Sequence, residues 1–162
     1  MVEDLFERLP LFQDLRPEQM ALVRRLFVPC YYSLGTVVFE QGNLTDNLYI
    51  VVDGEIGVRY KPEDAPQINV AKVGRGGVVG WSAALGSPSY TSSAVCLCDC
   101  LLVRIHSEDL HDLCLTHPET GRIILNRLAA VISERLRNTH HQVINLLEQG
   151  LRVQFPEEVS IE

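Results

Sequence analysis

No uninterrupted apolar run in this chain reaches the roughly 20 residues that a membrane-spanning helix needs. The opening MVEDLFERLP has neither the basic start nor the apolar centre of a secretion signal. The chain is therefore read as cytoplasmic, with no membrane partner. Basic residues are also scarce: 14 Lys and Arg stand against 21 Asp and Glu, a formal net charge of −7. Neutralising a phosphate backbone takes a basic face, so direct binding of nucleic acid is not expected. Histidine is absent from the first 105 residues, and all five histidines (His106, His111, His117, His140, His141) come later. HExxH and GxSxG are absent too. No metal site and no catalytic residues are assigned, and the chain is not read as an enzyme. The five cysteines are an odd number in a chain without an export signal, which disfavours a disulfide framework.

What is present begins with an ordinary globular balance: 162 residues, 46% hydrophobic and 22% charged, enough for one domain with a full core. LFERLP and RPEQMALVRRLF read as two short helices, the second with Pro17 in its first turn, where a missing N–H costs nothing. From Val28 to His106 the period changes to two. Seven short runs (VPCYYS, TVVFE, NLYIVV, EIGVRY, QINVAKV, SSAVCL, CLLVRIH) are separated by turn-forming segments. About eight antiparallel strands in this pattern make a sandwich or jelly roll. Asp53-Gly54 reads as a tight hairpin turn. CLCDC would place Cys96, Cys98 and Cys100 on one face of a strand as buried, inert thiols.

After Ile105 the pattern is helical again. SEDLHDLCL forms a short helix opened by Ser107, and Thr116 with Glu119 three residues on reads as a capping box for a long one reaching about Gln149. Leu125, Ala129, Ile132, Leu136, Thr139, Val143 and Leu146 alternate four and three apart, the spacing of a coiled-coil seam, so this helix is expected to form a homodimer. Ile124, Leu128 and Val131 face another way and can pack on the strands. The resulting division is helices over 3–27, strands over 28–106, helices over 107–150 and a tail over 151–162. About a dozen residues follow Gly150, too few for a helix-turn-helix, so no DNA-binding domain is expected.

Specific residues then carry a resemblance. GTVVFEQGNLTDNLYIVVDGEIGV, anchored at Gly35, Gly42, Tyr49, Gly54 and Ile56, resembles the spaced glycine motif of the cyclic-nucleotide-binding domain of Crp/Fnr-type regulators. VGRGGVVG and ISERLRNT resemble that family's L-G-x-G-x-x-F-G segment and the start of its dimer helix. The likeness covers residues 3–150. Gly74, Gly76 and Gly80 are not a dinucleotide fingerprint, since no βαβ unit surrounds them. The resemblance implies a mainly β fold: an eight-stranded antiparallel jelly-roll (double-stranded β-helix) barrel, short N-terminal helices and a long C-terminal dimerisation helix. It also implies a non-catalytic, signal-sensing module in which a ligand shifts the hinge between barrel and long helix, altering a surface read by a protein partner that the sequence does not name.

The family's phosphate-binding cassette is the stretch after the glycines. There a short helix offers backbone N–H groups to the cyclic phosphate, a Glu holds the ribose, and an Arg-Ser/Thr pair clamps the phosphate. In this chain Trp81 follows Gly80 where the Glu should be, and Tyr90-Thr91 stands for the Arg-Ser/Thr pair. By resemblance, the ligand-binding residues are Gly80, Trp81, Ser82, Ala83, Tyr90 and Thr91, with Thr139 and His140 facing the base. Thr139 reads equally as a polar residue setting the register of the seam. Arg75 in the glycine loop could swing over to the phosphate or stay solvated. Trp81 and Tyr90 either offer stacking surfaces or fill the pocket. No cofactor is assigned with certainty. The candidate occupant is a cyclic nucleotide (cyclic AMP or cyclic GMP), bound weakly for want of both charged partners, or another small ligand. The alternative is a ligand-free dimerisation or scaffold domain.

Overall fold

The computed structural model describes residues 2–83 and 87–154. Two short helices, α1 (Val2–Arg8) and α2 (Pro17–Leu26), flank a 3-10 turn at Pro10–Phe12. Eight strands follow: β1 (Val28–Tyr32), β2 (Val37–Phe39), β3 (Asn47–Asp53), β4 (Ile56–Tyr60), β5 (Ile68–Val73), β6 (Val78–Val79), β7 (Ser93–Cys96) and β8 (Cys100–His106). A second 3-10 turn, Trp81–Ala83, lies between β6 and β7, and α3 (Ser107–Thr116) and α4 (Pro118–Gln154) close the chain. The chain divides into two units, residues 1–128 and 129–162, the second carrying the remainder of α4.

The strands form two four-stranded antiparallel sheets, in the orders β1-β8-β3-β6 and β2-β7-β4-β5. This is the jelly-roll arrangement read from the sequence. Side chains from both sheets meet in one cluster that includes Phe39, Tyr49, Val58, Tyr90, Ala94 and Leu102. Strand period two sends alternate residues the other way. On β3 and β8 these residues, Ile50, Val103 and Ile105, are buried as well. The two central strands of the first sheet, β3 and β8, are thus covered on both faces, whereas Val28 and Tyr31 of β1 and Ile68 and Val70 of β5 are exposed. Phe6, Phe12 and Phe27 of the N-terminal segment are wholly buried and pack ring on ring, with centroids 5.5 and 4.9 Å apart. Ile124 and Leu128 of α4 are buried within the same first unit. Arg127 fastens α4 to the 3-10 turn by donating to the carbonyls of Leu11 (2.9 Å) and Gln13.

Three local readings need correction. Asp53-Gly54 is a turn, with Gly54 at φ 103° and its N–H donating to Asp53 Oδ1 (3.1 Å), but β3 and β4 do not pair. The turn passes the chain from one sheet to the other. CLCDC is likewise a crossing between β7 and β8, not one strand face. Leu97 N–H donates to Glu55 O and Asp99 Oδ1 accepts from Leu34 N–H, both at 2.9 Å, which pulls residues 97–99 out of the ladder. α3 does open at Ser107, and its cap is the preceding His106, whose Nδ1 accepts from Glu108 N–H (3.2 Å), but Thr116 plays no part in starting the next helix. Its hydroxyl turns back to donate to Asp112 O (2.8 Å) and ends α3 instead.

The second of these corrections divides the thiols. Cys96 and Cys100 are buried and Cys98 is exposed. Burial, with Cys100 beside it, pushes the Cys96 thiol up to about 12. A thiol reagent should therefore label Cys98 in the native protein and reach Cys96 and Cys100 only on unfolding. Native labelling of Cys96 at the rate of Cys98 would contradict this packing.

Candidate functional site

The cassette begins where β6 ends. Gly80 sits at φ 77°, and a Cβ there would lie 2.9 Å from Asn47 O and 3.3 Å from both the Phe39 and Tyr90 rings. Only glycine meets both the backbone angle and the close approach. The 3-10 turn that follows leaves Trp81 and Ser82 half-buried. The side chain of Ala83, and all of residues 84–86, fall outside the described residues.

The chain resumes at Ser87, tied to the β2–β3 loop. Ser87 N–H donates to Ser82 O (3.0 Å), the Thr45 hydroxyl donates to Ser87 O, and Thr45 N–H donates to Pro88 O (3.3 Å). This lacing delivers Tyr90 to the inside of the sandwich. Its N–H donates to Asn43 O and its carbonyl accepts from Gly42 N–H, both at 2.9 Å. The ring is 2% exposed and lies on Phe39 with centroids 3.9 Å apart and planes inclined 17°. Phe39 in turn stacks on Tyr49 at 5.9 Å. The Tyr90 hydroxyl accepts from Asn47 N–H (3.0 Å) and faces two acceptors, Asn47 O at 2.7 Å and Asp46 Oδ1 at 3.1 Å. Burial, opposed in part by the Asn47 backbone hydrogen bond, pushes this phenol up to about 12. Burial raises Tyr49 further.

A cavity of about 290 Å³ opens beside the stack, lined by Val38, Asn43, Leu44, Asp46 and the three stacked rings. Of the ligand-binding residues named from the sequence, only Tyr90 lines it among the described side chains. Asp46 adds a carboxylate to its wall, a charge that repels phosphate. Thr91 and His140 are exposed, and the Thr139 side chain lies outside the described residues. Arg75 is turned to Asp53, 3.5 Å away on the surface at the β3–β4 turn. Phe39, Asp46 and Asn47, the partners that hold Tyr90, were not picked out from the sequence. No local motif marks them, because their role arises only when β2, β3 and residue 90 come together. Among the described residues, no group of three or more His, Cys, Asp or Glu side chains could hold a metal ion.

Comparison with known proteins agrees with the fold. Residues 29–117 match the family model for the cyclic nucleotide-binding domain. The chain is 30% identical over 128 residues to the cyclic AMP receptor protein of Thermus thermophilus, covering 79% of this chain and 57% of that protein. It is 23% identical over 146 residues to the CRP-like cAMP-activated global transcriptional regulator of Mycobacterium tuberculosis, covering 90% of this chain and 63% of that protein. It thus spans about three fifths of the length of these relatives. The crystal structure of a cyclic nucleotide-binding domain from Methylobacillus flagellatus superimposes with a TM-score of 0.77 at 19% identity, covering 89% of this chain and 81% of that one. With the matched family model extending over more than half of its residues, this chain belongs to the cyclic nucleotide-binding domain family.

Proposed function

We propose that this domain is a non-catalytic regulatory module in which the phosphate cassette has been rebuilt around Tyr90, so that cyclic AMP and cyclic GMP are bound weakly or not at all. The observation that carries this reading is the Tyr90 side chain itself. At the place where the resemblance calls for a phosphate-clamping arginine, the chain has a neutral ring, buried on Phe39 and fastened to Asn47. Trp81, in place of the ribose-binding Glu, removes the second charged partner. Gly80, Ser82 and the Thr91 hydroxyl remain to meet a ligand with neutral donors. A free-standing dianion or monoanion gains little from these compared with charge-assisted hydrogen bonds. Either another small molecule uses the barrel, or the domain acts through association alone. The filling of the sandwich by three stacked rings favours that second role.

Association is assigned to α4. Leu125 is 41% exposed and Leu136 is 54% exposed on the seam face, apolar surface at heptad spacing that a second copy would cover. Free cysteines at all five positions suit a reducing, cytoplasmic setting. The test is titration calorimetry of the wild-type chain with cyclic AMP and with cyclic GMP. Dissociation constants above ~100 μM are expected, the range left when a clamp of several kcal/mol is missing from a micromolar site. Low-micromolar binding of either nucleotide would overturn the reading.

A further inference from the structure

Apart from the tyrosines and cysteines, the buried polar side chains among the described residues are Gln19 and Thr120, at 3% and 4% exposure. Both line one cavity of about 530 Å³, away from the cassette, where the start of α2 meets the α3–α4 corner. The cavity takes Glu18, Gln19 and Leu22 from α2, Arg16 from the position just before it, and residues 117–120 from the corner.

Its chemistry follows from how the two helices begin. Both open on proline, Pro17 and Pro118. The first N–H groups to enter the two helical ladders are those of Met20, bonded to Arg16 O, and Gly121, bonded to His117 O, each at 2.9 Å. The N–H groups of Glu18, Gln19, Glu119 and Thr120 have no partner within their helices, and the positive ends of two helix dipoles meet at the same place. Gln19 adds a further donor. Its Oε1 accepts from Arg16 N–H (3.0 Å), but its Nε2 is buried with no hydrogen-bond partner. The carboxylates on the rim, Glu18 and Glu119, are both held by the Arg16 guanidinium, at 3.1 and 3.4 Å. The cavity is thus rich in donors, its negative charges are already paired, and Leu22 and Pro118 give it apolar surface.

We infer that this cavity is a second ligand site, distinct from the nucleotide cassette, and that it takes a small organic carboxylate with an apolar body. The carboxylate meets the Gln19 amide and the two helix starts, and the body lies on Leu22 and Pro118. The volume falls within the range of small-molecule sites, roughly 300–1,000 Å³.

Benzoate, titrated into the ¹⁵N-labelled full chain, tests this directly. The Gln19 side-chain amide and the backbone amides of Glu119 and Thr120 should shift and saturate in the millimolar range, whether or not cyclic AMP is present. Gln19→Glu keeps the oxygen that caps Arg16 N–H and replaces the donor with a negative charge. It should weaken benzoate binding at least ~10-fold, with the other resonances in place. Thr120→Val, which leaves the Gln19 cap untouched, should weaken it as well. Three results would overturn the proposal: shifts that stay linear in benzoate, equal binding by folded Gln19→Glu, or equal shifts from inorganic phosphate, which would make the site one for any anion.

Discussion

Tyr90→Ala is expected to lower the stability of the domain by about 3–5 kcal/mol in denaturant unfolding, the usual cost of removing a large buried ring. The ring lies on Phe39 and is nearly inaccessible to solvent, so its loss leaves a cavity in the middle of the inter-sheet core. Tyr90→Phe separates the ring from its hydroxyl. The phenylalanine keeps the stack but strands Asn47 N–H, which now donates to the phenol, and a cost of about 1–3 kcal/mol should follow. A loss below ~1 kcal/mol for the alanine variant would mean that residue 90 is not anchored inside. The same burial sets a pH dependence. Above pH 10 a free tyrosine ionises, whereas Tyr90 holds its proton up to about 12. The unfolded chain therefore carries fewer protons than the folded one in that window. Stability is fully present below pH 10 and falls as pH rises towards 12. Tyr90→Phe should flatten part of that fall.

Charge on the seam of α4 should convert a dimer to a monomer. Leu125→Asp with Leu136→Asp puts two carboxylates on the exposed apolar face, where each would be buried without a partner in a helix-to-helix interface. Light scattering at micromolar concentration should report twice the mass of one chain for the wild type and a single chain for the variant. Both sites are open to solvent in one copy, so circular dichroism should be unchanged. A wild-type monomer, or a variant of unchanged mass, would remove α4 as the interface.

The fold was legible because period and punctuation agree. Seven strands coincide with runs of alternating residues, and Pro17 does open α2. The eighth strand, Val78–Val79, escaped because two residues inside a glycine cluster carry no period; they pair because Tyr49 and Ile50 of β3 lie opposite them. Asp53-Gly54 shows a different limit. Its turn chemistry was correctly read, but a local signal cannot say whether the two arms pair with each other or with distant strands. In the site, Trp81 and Tyr90 could be seen in the sequence to stand where the resemblance calls for two charged residues. That Tyr90 turns fully inward while Trp81 stays half-buried depends on Phe39, Asn43 and Asn47, separated from Tyr90 by more than 40 residues of chain.

The four-way fastening of residue 90 also governs the mutational paths open to this sequence. A chain that exchanged Tyr90 for arginine in a single step would lose the stack on Phe39 and strand the Asn47 amide, while planting a guanidinium among apolar rings. The neighbouring Asp46 carboxylate, now within reach of the hydroxyl at residue 90, would draw that guanidinium away from any phosphate. The arginine thus brings its costs at once and its benefit only after Phe39, Asp46 and residue 81 have also changed. Residue 90 behaves as a ratchet: the exposed Thr91 can change without disturbing the core, but a charged clamp at residue 90 requires several coordinated substitutions.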